Sequence, residues 1–106
     1  MSMMGPGPIS MRRIVLDASG WKGSSDFYDA LLPALGAPDW HGRNLNALLD
    51  SLSAGDINEV EPPFLVEVLN TGSLNGELKS FLREVAETFG DARNDRDADV
   101  AISLSA

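Results

Sequence analysis

Apolar positions in this chain fall into short unbroken runs separated by stripes at helical spacing. Ile14-Val15-Leu16 is too short for a helix and predicts a first strand ending at Asp17. Gly20 to Gly23 predict a loop. Ser24, Ser25 and Asp26 are all N-cap types, and Phe27, Tyr28, Leu31, Leu32 and Leu35 follow them along one helical face. Pro33 lacks a backbone donor and should kink or shorten this first helix, and Gly36 should stop it.

A second helix is expected to open on Asn44, a good N-cap. Leu45, Leu48, Leu49 and Leu52 follow the i, i+3, i+4, i+7 pattern, and Gly55 can close the end. At about 100° per residue, Asn46, Asp50 and Ser53 share one flank of that apolar stripe and can face a single ligand. An acidic loop, Asp56 to Glu61, leads through Pro62-Pro63 to Phe64-Leu65-Val66-Glu67-Val68-Leu69. This nearly continuous apolar run is expected of a strand covered on both faces. After a turn over Asn70 to Ser73, a third helix is predicted to run to about Phe89. Leu78, Phe81, Leu82, Val85 and Phe89 are its core positions and Gly90 its cap. Its outer surface divides into a flank with Glu77, Ser80, Glu84 and Glu87 and another with Lys79 and Arg83. Asp91 to Asp99 reads as a charged loop and Val100 to Leu104 as a final strand. The order β-α-α-β-α-β predicts a small α/β sandwich in which helical crossovers favour parallel strands.

With 106 residues, 43% of them hydrophobic, the chain is long enough for one domain with its own core. Residues 1–10 hold Gly-Pro-Gly-Pro and three methionines but no basic or apolar signal-peptide region. They are expected to be a disordered extension, leaving 11–106 as a single domain. No stretch approaches the roughly 18 apolar residues of a membrane span, so no membrane partner is expected. The absence of cysteine removes disulfides and thiolate metal sites and fits a cytoplasmic setting. Acids outnumber bases 16 to 8, a formal net charge of −8. Such a domain repels phosphates, which argues against a nucleic-acid partner, and attracts a basic protein. Charge of this sign also serves solubility alone.

Catalytic chemistry is sparse. His41 is the sole histidine, and most metal-site spacings need more. Asp17, Asp50 and Glu67 are the candidates for a carboxylate-only magnesium site, and Asp17, His41 and Asp50 for a small phosphate-handling enzyme. Ser51 and Ser53 lie near His41 in sequence, but no nucleophile elbow accompanies them. Gly20-Trp21-Lys22-Gly23 lacks the spacing of a phosphate-binding loop. A lone loop histidine is more often a surface or packing residue, and a tryptophan beside proline is often core. The neighbours of Trp40, however, are Asp39, His41, Gly42 and Arg43, all polar or small, which predicts partial exposure. Exposed aromatics beside acids are typical binding anchors. Below that loop, on a face with Asn46 and Ser53, Asp50 is a candidate anchor for a basic partner.

Residues 38–52, above all Trp-His-Gly-Arg-Asn-Leu-Asn-Ala-Leu-Leu-Asp-Ser-Leu, resemble the barstar family of intracellular ribonuclease inhibitors. The family pattern is an aromatic pair, Gly, any residue, Asn-Leu-Asp-Ala-Leu, an often aromatic residue, then Asp. Pro-Phe-Leu-Val-Glu and Phe-Leu-Arg-Glu follow in the same order, so the likeness covers most of residues 13–105. The resemblance implies a three-stranded parallel sheet packed with helices, a cis bond at Pro62-Pro63, and no catalysis or cofactor. It implies a monomer that binds a basic ribonuclease or related toxin one to one, placing carboxylates where RNA phosphates would lie. Carried over by position, Asp50 matches the central acid. Trp40, Gly42 and Asn44 match the aromatic loop and helix start, with His41 a further partner-binding candidate as second of the aromatic pair, Ser53 matches a hydroxyl at the helix end, and Glu84 an acid on the third helix. Three positions depart from the pattern: Asn46 replaces an Asp, Leu49 a frequent Trp, and Arg43 is basic where an acid is common. The Asp91–Asp97 loop is also longer than the family suggests, and Glu87 and Thr88 both stand near the place of a second acid. The same scaffold reused as an interaction module without inhibition is the alternative reading.

Overall fold

The computed structural model describes residues 12–54 and 57–106. The expected extension over residues 1–10, Gly55 as the stop of the second helix, and Asp56 lie outside them. The described elements are β1 (Arg12–Asp17), α1 (Ser24–Leu35), α2 (Leu45–Ala54), β2 (Phe64–Leu69), a 3-10 turn (Thr71–Ser73), α3 (Gly76–Arg96) and β3 (Val100–Leu104). The three strands form one parallel sheet in the order β1-β2-β3. Ile14 stands opposite Val66, and Val66 opposite Ile102. This is the predicted order and strand direction: each parallel pair needs a crossover, supplied by α1 and α2 in one case and by α3 in the other.

Side chains alternate across a strand, so one face of the sheet is set by Ile14, Leu16, Phe64, Val66, Val68 and Val100, all buried. Against it pack Phe27, Leu31 and Leu35 of α1, Leu48 and Leu52 of α2, and Leu78, Leu82, Val85 and Phe89 of α3. Phe27 is the hub, with edge-to-face contacts to Trp21, Tyr28 and Phe81 at 5.2–6.0 Å between centroids.

The expectation that β2 is covered on both faces is not met among the described residues. Leu65 and Glu67 are only half-buried, and Val15 and Leu69 are 54% and 37% exposed. An Arg13–Glu67 ion pair at 2.6 Å bridges β1 and β2 on this open side. A continuous apolar run therefore marks a central strand here, flanked by two neighbours, rather than one with a layer on each face.

Helix ends explain two further differences. Pro33 sits in the last turn of α1, where only the Asp29 carbonyl loses its partner, so the helix continues to Leu35. It stops at Gly36, whose φ of 67° is left-handed, as expected. At its start the cap residue is Gly23 rather than a serine. Asp26 supplies the side chain instead, accepting from the N–H groups of Lys22 and Gly23 at 2.7 and 3.2 Å. These donors hold its carboxyl below the usual range.

The larger correction concerns α3. It does not end at Gly90 but runs on to Arg96, so most of the expected Asp91–Asp99 loop is helical. Glycine in a helix is disfavoured, not forbidden. Two turns beyond it are anchored by Ala92, which is fully buried, and completed by Arg93 and Arg96 near the negative helix end. Asp97, at φ 55°, closes the helix, and Ala98 N–H returns to the Ala92 carbonyl at 2.9 Å. The Pro62–Pro63 bond is cis, as the resemblance implies. No described helix is long and apolar enough to cross a membrane.

Candidate partner-binding site

The chain leaves α1 at Gly36 and reaches α2 through residues 37–43. Backbone bonds fasten the base of this loop: Ala37 N–H to the Leu32 carbonyl at 2.9 Å, and Glu59 N–H to the Gly36 carbonyl at 3.2 Å. His41 N–H then donates to the Pro38 carbonyl at 3.0 Å, closing a turn that puts Asp39 and Trp40 at its tip. Trp40 is 74% exposed, more than the partial exposure expected, and is the most exposed large apolar side chain among the described residues.

His41 is turned the other way. It is buried, and its Nδ1 lies 2.7 Å from the Gly42 carbonyl. A carbonyl only accepts, so Nδ1 carries the proton in that contact. Nε2 is buried without a partner among the described residues. His41 thus shapes the loop from within, while Trp40 offers a surface. Gly42 permits a close approach: a Cβ there would stand 3.0 Å from Asn44 Nδ2 and 3.1 Å from Ala47 Cβ, tighter than side chains normally pack. Arg43 reaches back to α1. It donates to the Ser25 carbonyl at 3.0 Å, pairs with the Asp29 carboxylate and lies over the Tyr28 ring at 5.9 Å. Its charge is therefore spent on α1 rather than on the face of α2. Burial pushes the Tyr28 hydroxyl upward, and Arg43 opposes that shift.

Asn44 caps α2 as expected, its Oδ1 accepting from Ala47 N–H at 2.8 Å. Leu48 and Leu52 bury the inner stripe, and Leu49 is half-buried at its margin. Asn46 and Asp50 are exposed on the predicted flank. Ser53 is half-buried, and its hydroxyl donates to the Leu49 carbonyl at 2.7 Å, leaving the oxygen as an acceptor. Asp50 has an internal partner that the sequence reading missed: Arg96 Nη1 donates to its Oδ1 at 3.0 Å. The one signal for it in the chain is the Arg93/Arg96 spacing, which reads as a helix end only if α3 passes through Gly90.

Glu84 is exposed on α3. At about 1.5 Å rise per residue it stands roughly 18 Å along the helix from Arg96, so it is not part of the Asp50–Arg96 contact. Of the two nearby candidates for a second acid, Glu87 is exposed. Thr88 is buried and donates to the Glu84 carbonyl at 2.9 Å.

The candidate catalytic side chains have other partners among the described residues. Asp17 is bound by Asn70 and by Ser19, which lower its pKa, while Glu67 pairs with Arg13 and Asp50 with Arg96. Among the described residues no three His, Asp or Glu side chains gather as a metal site. Ser51 is buried with its hydroxyl on the Leu48 carbonyl, and neither it nor Ser53 bonds to His41.

A family model described as Barstar (barnase inhibitor) matches residues 11–105. No curated protein matches the chain.

Proposed function

We propose, from the premise that this chain belongs to the barstar family, that it is a non-enzymatic inhibitor of a basic ribonuclease or related toxin. It binds that partner one to one, and loop 37–43 with the outer flank of α2 enters the partner's active-site cleft. The observation that carries this reading is the exposed Asp50 carboxylate on the same side of α2 as Asn46, in the helix that follows the exposed Trp40 loop. A cleft built to bind phosphates is lined with cations, and a carboxylate can take a phosphate's place there. Trp40 supplies the apolar anchor area typical of interface centres. The net charge of −8 draws a basic partner in over distances beyond direct contact. Glu84, Asn46, Leu49, Ser53 and Asn44 complete the proposed face, with Gly42 and His41 shaping the loop behind Trp40.

A reading as an interaction module without inhibition draws on two observations. Asn46 brings no charge and Arg96 already sits on Asp50, so the face is less negative than an array of free acids.

Titration into a barnase-type ribonuclease, following RNA cleavage, separates the two. Stoichiometric inhibition is expected. Asp50→Ala should weaken it by about 2 kcal/mol or more, the range of central interface residues. The barnase–barstar pair is itself a source of that range, so the magnitude is carried over from the family. Inhibition unchanged in Asp50→Ala would move the site elsewhere. No inhibition by the folded protein would favour the module.

A further inference from the structure

Asp50 is engaged before any partner arrives. Its Oδ1 is held by Arg96 Nη1 at 3.0 Å, while the two side chains remain 66% and 44% exposed. The contact spans 46 residues of sequence and ties the middle of α2 to the last turn of α3. Two other ion pairs occur among the described residues. Arg43 pairs with Asp29 on α1 and Arg13 with Glu67 on the open sheet face, so only the Arg96 pair lies on the proposed binding face. A guanidinium on this carboxylate is the same chemistry that a basic partner would bring. An incoming cation must displace Arg96 or settle beside it against like charge. An exposed pair is weak, so the barrier is a filter rather than a lock.

We infer that Arg96 is a specificity-determining residue. It acts as an internal competitor for the Asp50 carboxylate, so a partner that offers several clustered cations takes the anchor more readily than one isolated lysine or arginine. This rests on the reading of Asp50 as the anchor. Arg96 itself lies outside the α2 and loop segment, on the last turn of α3.

Two probes test this: a barnase-type ribonuclease and a hexa-arginine peptide, each titrated by calorimetry at low salt. The proteins are the wild type, Arg96→Ala, Arg93→Ala, Asp50→Ala and the Asp50→Ala/Arg96→Ala pair. Arg93 lies three residues earlier on α3, directed toward the Val100 carbonyl, and its loss changes net charge by the same amount. Arg96→Ala is expected to tighten binding of both probes about two- to fivefold, the range of an exposed ion pair. Arg93→Ala should give a smaller gain from charge alone, and the Arg96 gain should vanish in the Asp50→Ala background. Equal gains from Arg93→Ala and Arg96→Ala, a gain that survives without Asp50, weaker binding by Arg96→Ala, or no peptide binding by Arg96→Ala would each overturn it. A peptide gain with no ribonuclease binding by any variant would support the role of Arg96 while refuting ribonuclease as the partner class.

Discussion

Replacing Gly90 by alanine should stabilise this protein, and the sign of the effect tests where α3 ends. The helix passes through Gly90 and continues to Arg96. A Cβ at this position would meet only Arg93 Nη2, at 4.0 Å, an ordinary contact. Alanine there removes the backbone-entropy penalty of glycine in a helix interior, about 0.5–1 kcal/mol. For a domain of this size 1 kcal/mol moves the melting temperature by about 4–8 °C, so a rise of roughly 2–8 °C is expected. The assay is thermal unfolding of the two proteins followed by circular dichroism at equal concentration. Had the helix ended at Gly90 in a left-handed cap, as the sequence pattern suggests, alanine would cost about 1 kcal/mol and the melting temperature would fall. A fall of several degrees would therefore refute the two extra turns and with them the position of Arg96 against Asp50.

Asn44→Ala removes the acceptor for Ala47 N–H and should cost about 1 kcal/mol in urea unfolding without changing the slope; no loss would mean that α2 does not depend on this cap. Phe27→Ala, at a fully buried position with three aromatic neighbours, should cost about 3–5 kcal/mol, and a cost under 1 kcal/mol would contradict its place in the core. Asp17 and Asp26 have folded-state pKa values below their ordinary ones, lowered first by Asn70 and by the Lys22 N–H respectively. Their contribution is thus fully present above the unfolded carboxylate range and lost as pH falls through the folded values. Asp26→Asn should flatten the acid limb of a stability–pH curve, and an unchanged limb would show that the Lys22 and Gly23 donors do not favour the charged form. Association with a basic ribonuclease should slow steeply as salt rises from 0.01 to about 0.15 M; a salt-independent rate would exclude steering by the net charge.

The order of elements and the start of α2 were legible in the chain because both are local. Three apolar runs and three helical stripes follow one another in a single order along the chain, and Asn44 caps the helix with an atom three residues from its donor. The exposed flank carrying Asn46 and Asp50 followed from helical periodicity alone, and the exposure of Trp40 from its polar and small neighbours. Other features depend on distant parts of the chain. The open face of β2 is invisible in Phe64–Leu69, because the same apolar run serves a central strand with one covered face or two. His41 and Trp40 are adjacent and similar in sequence terms, yet the Pro38 turn and the Gly42 carbonyl send one inward and leave the other at the tip. At Gly90 local propensity pointed to a helix end, and the burial of Ala92 against the rest of the core outweighed it. Arg96 meets Asp50 only because that continuation carries it to α2. The periodicity of a sequence determines which residues share a face of one element, whereas which charges meet across two elements is decided by the packing that brings those elements together.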